Sequence, residues 1–263
     1  MKRIITQQTS KTFTRPSLRH YSGYKRKHLL FDIGGTIFDY RCNTLLKCLT
    51  KSINISLDSE CYDFRITTTD LIPEMGMSKT MHVKTVLNRH LGFHVKPHLI
   101  QEILFNFNQS LIENYTMNFD SHLLLEREVF ELFKYFHVSF VTGFNKEITD
   151  VIIQRLMKKF DFKPYAICTS SSYNRSSHSD MSEFMKSNQI NGDMYFDDTL
   201  EGQRTMKNLT KQRFGITDSS ALMHTMTNRE LKNKFESEKV NPIDVGDIYN
   251  TIEDQLIKSS YSQ

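Results

Sequence analysis

No aspartate or glutamate precedes Asp32, whereas lysine and arginine recur from Lys2 to Lys27. Much of the formal net charge of +4 therefore belongs to a leader. The excess does not read as a nucleic-acid surface, and no nucleic-acid partner is expected. Residues 1–27 combine Arg, Ser and Thr with no acid, the composition of a mitochondrial transit peptide for the matrix, and Arg19 to Ser22 resembles a matrix-protease site. A disordered basic tail on a cytoplasmic protein has the same composition. Long apolar runs are absent too, so the mature chain is expected to be soluble, with no membrane partner. Cys42, Cys48, Cys61 and Cys168 show no CxxC spacing, which suggests neither a zinc site nor a disulfide framework.

What is present reads as a folded α/β chain. Hydrophobic residues make up 38% and charged residues 24%, with no long low-complexity tract. A length of 263 residues suits one α/β domain with an insertion, or two modest domains. Apolar or β-rich runs ending in small polar residues occur at LLFDIGG, VSFVTGF, YAICTSSS, MYFDDT and, less clearly, RFGITDSS. Between the second and third, Ile148, Val151, Ile152, Leu156 and Phe160 recur at helical spacing, and EREVFELFKYF precedes the second strand in the same way. Such alternation predicts a doubly wound, mostly parallel sheet. Ligands in these sheets sit beyond the carboxyl ends of the strands, where Asp32, Thr142, Ser170 and Asp198 emerge.

The interval from about residue 40 to about residue 125 is helical in pattern and far longer than a crossover needs. It reads as an inserted helical cap, with Pro97 near the start of its longest helix. The expected organisation is a leader over 1–27, a core over 28–40 and 126–263, and a cap over 41–125.

The stretch LLFDIGGTIFDY places Asp32 at the mouth of a strand, followed by Gly34, Gly35 and Thr36. An Asp-x-x-Gly-Thr after the first strand, Thr142-Gly143 after the second, Arg175 after the third and an acidic turn at Asp198 after the fourth resemble the haloacid dehalogenase superfamily. The usual second aspartate, two residues after the first, is Gly34 here. That departure, with MGMSKTMH from Met75 to His82 in the cap, resembles the phosphonoacetaldehyde hydrolase branch. The resemblance runs from about Leu29 to the C-terminus.

The resemblance implies Mg²⁺-dependent cleavage of the carbon–phosphorus bond of a small phosphonate substrate. Lys79 would form a Schiff base with the aldehyde, giving the departing electron pair a sink, and Asp32 would take the phosphoryl group as a nucleophile. Lys79 then needs a lowered pKa. His82, one helical turn on, would exchange protons at the imine, or is a surface histidine. Met75 would pack beside the substrate or simply fill apolar space. Thr142 would bind the phosphoryl group through its hydroxyl or backbone, Gly143 would permit the tight turn, and Arg175 would neutralise phosphoryl oxygens. Asp32, Asp198 and the Gly34 carbonyl would hold Mg²⁺. The resemblance also implies a homodimer paired through the cap.

Departures and rivals are part of this reading. The second acid of the fourth motif falls at Gly202, so Glu201 or Asp197 substitutes, or the metal site is weakened. TKQRFGI is unusually charged for a buried strand. These two features would suit a slow or inactive relative with a partner-binding role. A phosphatase of the same superfamily acting on another metabolite is a further alternative, against which Gly34 argues. DIGGT also resembles the first phosphate motif of actin-like kinases, but with 10 glycines the chain offers neither a second phosphate loop nor a glycine-rich adenosine segment.

Overall fold

The computed structural model describes residues 26–38, 44–74, 77–92, 95–218 and 227–261. The leader up to residue 25, together with Met75 and Gly76 of the cap motif, lies outside them. The strands are β1 (His28–Phe31), β2 (His137–Val141), β3 (Ala166–Cys168), β4 (Gly192–Asp197), β5 (Thr210–Ile216) and β6 (Asn241–Ile243). They form one parallel sheet in the order β3-β2-β1-β4-β5-β6. β1 is buried along its whole length, as a central parallel strand with helices on both faces requires.

Phe31, Phe196 and Phe214 stack across β1, β4 and β5, with ring centroids 4.4 and 4.9 Å apart. This ladder faces α6 (Arg127–Phe133), α7 (Lys146–Phe160) and α11 (Ile248–Tyr261). On the opposite face Leu30, Val141, Cys168 and Tyr195 pack against Met181, Phe184 and Met185 of α8 (His178–Ser187). α9 (Leu200–Thr205) follows β4, and α10 (Asn228–Ser237) lies between β5 and β6. Local sequence sets the boundaries. Asn145 caps α7 by accepting from the Ile148 N–H at 3.0 Å, and Asp161 ends it in the left-handed region. Thr227 and Glu230 form a capping box on α10.

Two features of the sheet depart from the sequence reading. β6 was invisible as a strand because it is a three-residue edge strand containing Pro242, which cannot donate to a second neighbour. The charge in β5 has a structural use. Lys211 and Gln212 are exposed, and the Arg213 guanidinium donates to the carbonyls of Gln203 at 2.6 Å and Glu238 at 2.7 Å, tying down the ends of α9 and α10. The charged strand thus lends no support to a partner-binding relative.

Between β1 and β2 lie α1 (Thr44–Ser59), α2 (Thr68–Leu71), α3 (Lys79–Leu91), α4 (Pro97–Met117) and α5 (Phe119–His122), a helical cap whose Pro97 takes the first helical turn of α4. The two crossings between core and cap are tied together. Phe38 bridges to Leu123, the Leu124 N–H donates to the Ile37 carbonyl at 2.9 Å, and the Phe38 ring meets Tyr115 edge-on at 4.7 Å. Among the described residues no helix is long and apolar enough to cross a membrane.

Candidate active site

The carboxyl ends of β1, β2 and β4 converge with the loop after β3 on a cleft lined by Asp32, Gly34, Thr142, Gly143, Ser170, Arg175 and Thr199. Leu45, Met77, Ser78 and Lys79 line it from the cap, and the space amounts to about 630 Å³ including its open mouth. Core and cap residues singled out from sequence therefore meet at one place.

The turn after β1 is built by glycine. Gly35 has φ of 89°, a left-handed conformation that a side chain would strain, and its N–H donates to the Phe38 carbonyl at 2.9 Å. Asp32 is thereby left at the strand end, fully buried. Its Oδ1 accepts from Arg175 Nη1 at 2.6 Å. Burial pushes the Asp32 carboxyl up to about 8, with Arg175 opposing and Asp197 adding to the rise. Arg175 is the reverse of the solvent-facing loop arginine that its position in the chain suggests by default. Its other nitrogen donates to Asp197 Oδ2 at 2.7 Å and Thr199 Oγ1 at 2.9 Å, so it bridges β1 and β4. Burial opposes its charge, but Asp197 and Asp32 outweigh burial and hold it ionised.

Asp32, Asp197 and Asp198 form a buried acidic triad in which one oxygen from each lies within 4.8 Å of the others. Asp32 Oδ2 and both oxygens of Asp198 are buried with no hydrogen-bond partner. Burial, then Asp197 and Asp32, push the Asp198 carboxyl well above the usual range. Orphaned carboxylate oxygens facing one another fit a hard divalent cation such as Mg²⁺, which takes oxygen ligands. Asp32 and Asp198 would hold it. Of the two substitutes for an acid at Gly202, Glu201 is exposed and Asp197 enters the triad.

Lys79 opens α3 behind its N-cap Ser78 and is half-buried at the cleft mouth. Burial brings its pKa from 10.5 down to about 8, Arg175 adding to the fall while Asp32 and Asp198 resist it. A cation on the first residue of a helix is disfavoured further by the helix dipole. His82 does not line the cleft and is not on the surface. It is buried in the cap with Nε2 at 2.8 Å from the Leu71 carbonyl, which makes Nε2 the protonated nitrogen. Burial, then Lys79, push it down to about 3, so it is neutral.

The two groups after β2 need adjusted reasons. The Thr142 N–H is spent on the Cys168 carbonyl at 3.0 Å, and its Oγ1 accepts from the Phe144 N–H at 3.1 Å, which leaves the hydroxyl hydrogen for a ligand. Gly143 does not adopt a left-handed conformation, and a Cβ there would meet nothing within 4 Å. The turn does not need glycine; the missing side chain keeps the cleft open. Tyr195 and Thr199 went unnoticed in the sequence, although Tyr195 is two residues before Asp197 on one strand and so shares its face.

No family model matches the chain, and no curated protein matches it. Solved structures do. A phosphonoacetaldehyde hydrolase-like protein from Oleispira antarctica superposes with a TM-score of 0.68 at 13% identity, covering 90% of this chain and 95% of that one. A predicted phosphoglycolate phosphatase from Haemophilus somnus gives 0.60 at 13% identity, covering 86% and 97%. CbbY from Rhodobacter sphaeroides in complex with phosphate gives 0.52 at 11% identity, covering 73% and 86%. At these identities the likeness is one of fold: a parallel α/β core with an inserted helical cap.

Proposed function

We propose that this chain is a Mg²⁺-dependent hydrolase of small phosphorus-containing metabolites with Asp32 as nucleophile, and that within this class it cleaves phosphonoacetaldehyde to acetaldehyde and phosphate. One observation carries the finer reading. Lys79 reaches from the cap into the cleft of Asp32 with a pKa of about 8, and position 34 offers no acid for protonating a leaving oxygen. The neutral amine would add to the aldehyde and, with uptake of a proton from solvent, expel water to leave an iminium. Asp32 would attack phosphorus as the carbon–phosphorus pair moves into the iminium, giving an enamine and an aspartyl-phosphate. Water would then release phosphate from Asp32, and protonation at carbon followed by hydrolysis would free acetaldehyde from Lys79.

Arg175 and the Thr142 hydroxyl would hold the phosphoryl oxygens, and Gly143 leaves room for them. A Mg²⁺ bound by Asp32 and Asp198, with the Gly34 carbonyl as the third protein ligand, would offset the charge of the phosphoryl group beside the nucleophile. His82, neutral and held to Leu71, would fix the start of α3 behind Lys79. Matrix import and pairing through the cap belong to the same proposal, checked by fractionation and by sedimentation velocity.

The second reading is hydrolysis of a phosphate ester. The acidic triad supports it, because a cation and the Asp32 nucleophile would serve an ester substrate without calling on Lys79. Release of acetaldehyde and phosphate in equal amounts from phosphonoacetaldehyde, lost in Lys79→Arg, would support the carbon–phosphorus reading. Turnover of phosphate monoesters by both wild type and Lys79→Arg, with none of phosphonoacetaldehyde, would replace it with the second.

A further inference from the structure

We infer that Asp197 positions Arg175 instead of ligating the cation, and that the absent side chain at Gly202 gives it the room to do so. The inference rests on the roles proposed above for Asp32 and Arg175. A carboxylate offers about four acceptor sites, and those of Asp197 are all taken. Its Oδ1 accepts from the Thr199 N–H at 2.7 Å and from Thr199 Oγ1 at 2.8 Å. Its Oδ2 accepts from Arg175 Nη2 at 2.7 Å and from the Tyr195 hydroxyl. Asp198, one residue on, has both oxygens without a partner, and Asp32 has one. The three acids therefore divide: two have capacity for a cation, and the third is saturated by donors.

Gly202 completes the arrangement. Its N–H donates to Thr199 Oγ1 at 3.1 Å, the side chain that caps α9, and this brings its Cα against the Asp197 carboxylate. A Cβ at position 202 would lie 2.8 Å from Asp197 Cγ and 2.9 Å from Arg175 Nη2, closer than real Cβ atoms come. Any side chain at 202 must displace the carboxylate or the guanidinium. Asp197 thus fills, from the end of β4, the space into which a residue of α9 would otherwise project. From there it holds Arg175 over the nucleophile by a charge-assisted bond on one nitrogen while the other reaches Asp32.

The test uses the full chain, four single variants (Asp197→Asn, Gly202→Ala, Asp198→Asn and Arg175→Met) and the double variant of Asp197→Asn with Arg175→Met, each first checked for a native circular dichroism spectrum. Mn²⁺ affinity is read by electron paramagnetic resonance, and inorganic phosphate affinity by calorimetry in excess Mg²⁺. Asp197→Asn and Gly202→Ala are expected to keep Mn²⁺ affinity within about threefold and to weaken phosphate about tenfold or more, the worth of a hydrogen bond to a charged group. Asp197→Asn combined with Arg175→Met should bind phosphate no more weakly than Arg175→Met alone, the signature of one residue acting through the other. Loss of Mn²⁺ binding in Asp197→Asn to the extent seen in Asp198→Asn would overturn the inference, as would phosphate affinity within twofold of wild type in both Asp197→Asn and Gly202→Ala. Retained Mn²⁺ affinity in Asp198→Asn would sink the parent metal reading, and the phosphate arm would still decide for or against Asp197. If Asp197→Asn fails to fold, Gly202→Ala carries the same comparison without removing a charge.

Discussion

The proposed chemistry depends on how readily Lys79 gives up a proton, and the environment of the residue fixes a magnitude. An ordinary lysine at 10.5 is neutral in only about one molecule in 3,000 at pH 7, whereas at about 8 the fraction is about one in ten. The Lys79 amine should therefore be trapped about 300-fold more readily than an ordinary lysine, if intrinsic nucleophilicity is equal. The assay is reductive trapping with acetaldehyde and cyanoborohydride over a pH series in EDTA, with modified peptides located by mass spectrometry. Labelling of Lys79 should rise with a midpoint near 8 while the exposed lysines lag. Arg175→Met should move the midpoint upward by less than the full gap to 10.5, because burial is the larger cause and Arg175 the second. Adding Mg²⁺ should move it down, since another cation disfavours the ammonium form. The same shift has a stability consequence. The folded pKa lies below the unfolded one, so between about 8 and 10.5 the unfolded chain binds the extra proton, and stability contributed by Lys79 rises with pH through that window. A Lys79 labelling curve that overlies the exposed lysines would refute the reasoning, whatever substrate the protein turns over.

Other expectations follow from the same geometry. Asp198→Asn removes a buried carboxyl whose oxygens have no donors, so the metal-free variant should melt above metal-free wild type, a gain that Mg²⁺ added to wild type should erase. Gly215→Ala points a Cβ into the Phe235 ring at 2.6 Å and should cost about 1–3 kcal/mol in denaturant unfolding. Gly143→Ala meets nothing in the protein and should leave the melting temperature unchanged, while weakening phosphate binding measured by calorimetry.

What could be read from the sequence was whatever local chemistry decides. β1, β2 and β4 are apolar runs because they are buried between helices, and α7 announces itself through its apolar stripe. The convergence of Asp32, Thr142 and Ser170 followed from the rule that parallel strands deliver their carboxyl ends to one side, whereas Arg175 was reached only through the family resemblance. The misreadings concern contacts that spacing does not encode. Lys79 and His82 share a helical turn, yet one sits at the cleft mouth and the other is drawn into the cap by the Leu71 carbonyl, eleven positions away. Gly143 looked like a turn glycine because its backbone angles are not written in the sequence. That Asp197, and not Glu201, fills the space beside Gly202 depends on a backbone approach between β4 and α9 that only three dimensions reveal.

The bridge from Phe38 to Leu123 and the bond from Leu124 to Ile37 hold the entry and exit of the cap one strand spacing apart, about 5 Å. The core therefore sees the inserted helices as a loop already closed at its neck. Closing a longer loop costs only a logarithmic increment of entropy, so doubling the inserted length would cost about 0.6 kcal/mol. Modularity follows: the pinned neck lets the inserted segment vary in size and surface with little energetic consequence for the sheet beneath it. The sheet and the inserted segment are then separable parts, and exchanging everything beyond Phe38 and before Leu123 would remove Lys79 while leaving the neck and the floor of the cleft in place.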